Sequence, residues 1–191
     1  MHLVIKAFCV GMALLLAGCI STTQPSYFKL EAKAGSSSPG DYGSIGLRPV
    51  SIPEYLRRSS MVRSEGDNRL DLNTGDRWAE PLEDGIRRIV TLNVAALLPT
   101  DHVQRYPWST RTQPDTIIAL EVLEMTSGVE EARLVVDVDI TRSTSSSHLL
   151  RFSAKLPEAA TGAQIASAHS ELLYQLSEAI ATKIRLGELD D

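Results

Sequence analysis

RLVVDVDIT (133–141) and LLRFSAKL (149–156) decide the fold. In the first, Leu134, Val136, Val138 and Ile140 fall on one side, and Val135, Asp137, Asp139 and Thr141 on the other. In the second, Leu150, Phe152, Ala154 and Leu156 face one way, while Arg151, Ser153 and Lys155 face the other. A period of two marks an extended strand with one face in a core and one in water. Two such segments in close succession predict an antiparallel meander with a single wet face. On that face the acids of one strand would meet the bases of the next. Residues 116–125 are largely apolar and read as a central strand. The serine run 143–147 reads as a loop.

Working outward, residues 27–32 (YFKLEA) alternate and predict a first strand. Residues 44–52 predict a second, which Pro49 confines to an edge. Residues 53–57 suit one helical turn, and 60–63 with 68–72 suit a hairpin around Glu65-Gly66-Asp67. A helix follows, with Asp76 as its expected N-cap and Pro81 near its start. Leu82, Ile86, Ile89, Val90, Val94 and Leu97 recur at helical spacing and make one apolar stripe, which stops near Pro99. A longer helix over 161–186 carries Ile165, Ala168, Leu172, Leu176, Ile180 and Ile184 on its stripe, with small Ala163, Ala166, Ala179 and Ala181 beside it. The expected fold is α+β: one domain with a mostly antiparallel sheet and two main amphipathic helices packed on one face.

The N-terminus, MHLVIKAFCVGMALLLAGC, has a short positive region at Lys6 and an uncharged apolar core. It is the pattern of a secretory signal, too short to span a bilayer. Leu16-Ala17-Gly18-Cys19 resembles the lipobox of bacterial lipoproteins. That resemblance implies cleavage before Cys19, a diacylglycerol on its thiol and an acyl chain, such as palmitate, on its new amino group. Ile20, rather than Asp, at the second mature position implies delivery to the outer membrane. The expected organisation is a signal at 1–18, a lipidated N-terminus and tether at 19–25, the α+β domain at 26–187 and an acidic tail at 188–191. Cys9 leaves with the signal, so Cys19 has no cysteine to pair with and no cysteine-based zinc site can form. The signal removes Lys6 and no acid; 18 basic residues against 24 acidic ones give the mature chain a balance of −6. A mildly acidic chain without a basic block is a poor nucleic-acid binder.

Catalytic and metal-binding patterns do not stand out. His102, His148 and His169 lack metal-ligand spacing and read as surface or helix-flank residues. Ser145-Ser146-Ser147-His148 has no Gly-x-Ser-x-Gly elbow around it. Asp137 and Asp139 read as solvated acids on the wet face of the meander rather than an acid/base pair. The expectation is a protein that is not an enzyme and that carries no cofactor beyond the lipid on Cys19.

Tyr, Trp and Arg stand out instead, the residue types that dominate protein–protein hot spots. Pro53, Tyr55, Leu56, Arg58 and Arg63 fall in an expected surface segment; Arg77, Trp78 and Pro81 lie at the expected helix start; Tyr106 and Trp108 follow that helix. Two readings stay open for them. Tyr55, Trp78 and Trp108 either plug the ends of the sheet, with Arg58 paired to an acid, or face a partner.

This ordered set resembles the PqiC/YmbA family, the auxiliary lipoproteins of ABC-type transport systems. The residues that carry the resemblance are Cys19, SYFKL at 26–30, Pro53, Tyr55, Leu56, Arg58, Arg63, Asn68, RWAEPL at 77–82, and Tyr106-Pro107-Trp108. The resemblance implies an outer-membrane lipoprotein facing the periplasm. It would dock an MCE-domain protein coupled to an inner-membrane permease and ATPase, in a system that moves lipids and supports membrane integrity. It also implies a homo-oligomer. A different class of function is a lipid carrier holding acyl chains in its own pocket between sheet and helices. A third, an envelope hydrolase, needs a cleft with a titrating His or acid.

Overall fold

The protein was studied as a computed structural model, which describes residues 24–187 apart from 34, 38–39, 73–74, 99, 101 and 143–144. The expected signal peptide, Cys19, most of the tether and the acidic tail lie outside the described residues. The described elements are β1 (Ser26–Phe28), β2 (Ile45–Leu47), β3 (Arg63–Gly66), β4 (Arg69–Asp71), β5 (Asp76–Trp78), α1 (Leu82–Leu97), β6 (Val103–Arg105), β7 (Thr116–Ser127), β8 (Glu131–Thr141), β9 (Ser145–Lys155) and α2 (Gly162–Leu186).

The meander is present: β7, β8 and β9 run antiparallel over their whole lengths. Leu134, Val136, Val138 and Ile140 are fully buried on the face that meets the helices. The register changes the expected chemistry of the wet face. Asp137 and Asp139 stand opposite Leu149 and Ser147, not opposite bases. They accept hydrogen bonds from serine hydroxyls, Ser147 to Asp137 at 2.7 Å and Ser145 to Asp139 at 2.8 Å. Those bonds draw Ser145 to Ser147 into β9, where a loop was expected.

The other edge of β7 makes the sheet mixed. β2 pairs parallel with residues 116–118 of β7, β3 pairs parallel at Ser127, and β6 joins β2, again in parallel. A parallel pair needs a crossover, and the chain segment holding α1 supplies the one between β2 and β6. The long pairings are antiparallel, and the parallel ones are all short. β3 and β4 form the expected hairpin a few residues along, turning at Asp67 and Asn68 with φ of 47° and 61°. That double positive φ is the primed turn that matches strand twist.

Asp76 is not the helix N-cap. It begins β5, which pairs in parallel with β1 as a separate two-stranded ribbon. Pro81 takes the N-cap position of α1, without a side-chain cap. The apolar stripe of α1 is buried throughout. α2 starts at a capping box, Thr161 with Gln164, and buries Ile165, Leu172, Leu176, Ile180 and Ile184. A strap of chain crosses the seam of the two helices: the N–H of Glu31 donates to Ser170 and that of Lys33 to Asn93, both at 3.1 Å.

Candidate functional site

The aromatic and arginine residues singled out in the sequence fall into two groups at different levels of β7. The first is structural. Trp78 is 6% exposed and packs edge-on to His169, ring centroids 6.1 Å apart at 62°. With Leu56, Met125 and Ile165 these rings close around a void of about 10 Å³. Pro53 precedes the single turn that buries Leu56. On that turn Tyr55 is half-buried, and burial, then the charge of Glu124, raise its phenol above the usual range. Arg63 donates to the carbonyl of Ala160 at 3.0 Å and to the carboxylate of Asp76 at 3.2 Å, tying β3 to β5 and to the start of α2. Arg77 donates to the Ser59 hydroxyl at 3.0 Å. Arg58 is exposed in a cleft with Trp78, Glu80, Pro81 and Glu83, and forms no ion pair among the described residues.

The second group is a surface. Tyr106 and Trp108 pack edge to face, centroids 5.2 Å apart at 86°. Trp108 lies over Gly46, where an added Cβ would come within 2.9 Å of its ring. The Tyr106 N–H donates to the carbonyl of Leu47 at 3.0 Å, and Arg87 donates to the carbonyl of Tyr106. Arg48, Pro49, Gln113 and Ile117 complete a shallow cleft of about 340 Å³ around the two rings. Tyr106 also borders a second depression with Arg105, Arg87, Asp84 and Glu80. Trp78 meets β7 at Met125 and the Trp108 cleft meets it at Ile117. Those positions lie about 26 Å apart at the usual rise of a strand, so Tyr55, Arg58, Trp78 and Trp108 do not form one cluster.

One pair escaped the sequence reading. His169 is not a surface or helix-flank residue: it is 2% exposed, and its Nε2 lies 3.0 Å from the Ser127 hydroxyl. Its Nδ1 has no partner among the described residues, and burial lowers its pKa to about 4. Ser127 is 1% exposed, so this serine–histidine pair has neither an orienting acid nor access for a substrate. The two residues are far apart in sequence, and only the packing of α2 on β7 brings them together. Among the described residues, no group of His, Cys, Asp and Glu is arranged to hold a metal ion.

A family profile described as the ABC-type transport auxiliary lipoprotein component matches residues 28–181. The chain belongs to this family. Members of the ABC-type transport auxiliary lipoprotein family are envelope proteins held at a membrane, and no described helix here is long and apolar enough to cross one. Over 91 residues the chain is 29% identical to the intermembrane transport lipoprotein PqiC of Escherichia coli strain K12, and equally to PqiC of Shigella flexneri. Each match covers 46% of this chain and 49% of the relative, so the chain spans about half the length of the curated relatives it matches. Two solved structures share the fold. A crystal structure of an uncharacterized protein aligns with a TM-score of 0.73 at 16% identity, covering 85% of this chain and 99% of the other. Protein XCC0632 from Xanthomonas campestris, of family DUF330, aligns with a TM-score of 0.69 at 14% identity, covering 86% and 98%.

Proposed function

We propose that this transport auxiliary lipoprotein is anchored through a lipidated Cys19 to the outer membrane and faces the periplasm. There it docks an MCE-domain protein, itself coupled to an inner-membrane permease and ATPase, in a lipid transport system that supports membrane integrity. In this reading the chain has no catalytic role and acts as a homo-oligomer.

The observation that carries docking over lipid carriage is the closed core. Pockets that hold small apolar ligands measure about 300–1,000 Å³, whereas the void between β5, β7 and α2 holds about 10 Å³. An open cleft of about 900 Å³ is lined by five glutamates, Glu65, Glu124, Glu130, Glu131 and Glu158, together with Arg133 and Lys155. These charged groups would have to be desolvated against an acyl chain there. The exposed Tyr106–Trp108 step has the chemistry of a protein-binding surface.

A pull-down of the tagged, lipidated chain from detergent-solubilised envelopes tests the proposal. Recovery of an MCE-domain protein with its permease or ATPase is the expected result. Recovery of the chain alone under mild crosslinking, with bound lipid in native mass spectrometry, would favour the carrier instead. Cys19→Ser is expected to release the chain from the membrane fraction and to abolish palmitate labelling.

A further inference from the structure

We infer that the Tyr106–Trp108 cleft is the surface offered to the partner, and that its occupant is a carboxylate-bearing protein segment that lays an apolar side chain against the two rings. The inference rests on the docking function proposed above and names the face that performs it.

Preorganisation is the first support. Both backbone groups of Tyr106 are bonded, its N–H to Leu47 and its carbonyl to Arg87. Trp108 is wedged between Tyr106, Gly46 and Pro114. Rings held this way lose little freedom on binding. Tyr106 itself remains 48% exposed.

Charge is the second support. Exposed Arg48 lines the cleft, and exposed Arg105, the register partner of buried Leu47, lies on the other side of Tyr106 in the second depression. Neither guanidinium forms an ion pair among the described residues. Nearby acids are mostly engaged. Asp115 accepts from the Ser44 N–H at 2.8 Å and its hydroxyl at 2.6 Å, and Glu80 is held by Arg88. Asp84, exposed on the Arg105 side of Tyr106, remains on the rim. Arginine prefers planar, bidentate acceptors, so a carboxylate is the fitting counterpart.

The cleft lies far from the point where the chain enters the fold. The chain enters at Ser26, which pairs with Asp76; Asp76 binds Arg63, and Arg63 pairs with Ser127. The cleft sits at the opposite end of β7, against Ile117. Ten strand residues, about 33 Å, separate the two ends, so an occupant of the cleft need not meet the entering chain.

The test uses the full lipidated chain in cells. Tyr106→benzoylphenylalanine, irradiated and analysed by mass spectrometry, is expected to join the MCE-domain protein. R48E/R105E is expected to cut recovery of that protein at least tenfold, and R48K/R105K to cut it less, because lysine keeps the charge and loses the bidentate contact. Membrane attachment and unfolding midpoint should stay unchanged in both. Undiminished recovery with R48E/R105E would overturn the inference and leave the docking function standing. An adduct to lipid, or one of twice the chain's own mass, would assign the cleft to the membrane or to a second copy and overturn it too. Failure of the unmodified chain to recover any MCE-domain protein would bring down both readings together.

Discussion

Trp78 stands edge-on to His169, with ring centroids 6.1 Å apart and both side chains almost wholly buried. The indole fills the join between β5, the turn after Ile52 and the first turn of α2. Trp78→Ala empties that join, and large-to-small changes at such sites cost about 3–5 kcal/mol. Chemical denaturation should show a loss of that size. A protein that keeps its stability would put the ring outside the core.

His169 makes stability depend on pH. Its folded pKa, about 4, lies below the 6.5 of an unfolded histidine, because burial disfavours the charged ring. Between those values the unfolded chain binds the extra proton, so stability is fully present above pH 6.5 and falls as pH drops toward 4. From pH 7 to pH 5 this residue alone should remove about 2 kcal/mol. Urea midpoints at the two pH values check it. The drop should shrink by most of that amount in His169→Gln.

Arg63 reaches two elements at once, through Ala160 and Asp76. Arg63→Met should lower stability by about 1–3 kcal/mol, the usual range for charge-assisted bonds. Arg63→Lys should recover less than half, because one ammonium cannot span both acceptors. Thermal unfolding of the pair separates the two outcomes.

Gly46 sets the height of Trp108. A Cβ there would lie 2.5 Å from the Pro114 ring and 2.9 Å from the indole. Gly46→Ala should displace Trp108 and cost about 1–3 kcal/mol, as overpacking does. In a Trp78→Phe background the remaining indole reports the shift through its fluorescence maximum. An unmoved spectrum would mean that the cleft gives way elsewhere.

Thr161 caps α2 together with Gln164. Thr161→Ala should cost about 1 kcal/mol, read as a lower denaturation midpoint. The Arg48 and Arg105 surface should keep its partner binding, since no bond of the capping box reaches it.

Much of the architecture was legible because its signals are local. The alternation at 133–141 and 149–156 marked which side chains face the helices, and the burial of Leu134 through Ile140 agrees residue by residue. The stripe from Leu82 to Leu97 marked the buried face of α1 in the same way. The candidate site was legible only as a set of residue types. Nothing local distinguishes Trp78, wedged under α2, from Trp108, half-exposed over Gly46. Asp76 followed a helix-cap pattern, yet β1 recruits it into a ribbon across fifty residues of chain.

By itself the sequence determined the strand and helix periods, the inward-facing side chains, the lipobox-like segment and the ordered motifs shared with a lipoprotein family. These are set within one turn of a helix or two residues of a strand. Only the tertiary structure decided the parallel partners of β7, the Ser127–His169 contact, the serine partners of Asp137 and Asp139, and the separation of Trp78 from the Tyr106–Trp108 surface. Each of those depends on which distant segments meet. That choice is made by burial of the whole apolar surface at once, not by any short stretch of residues.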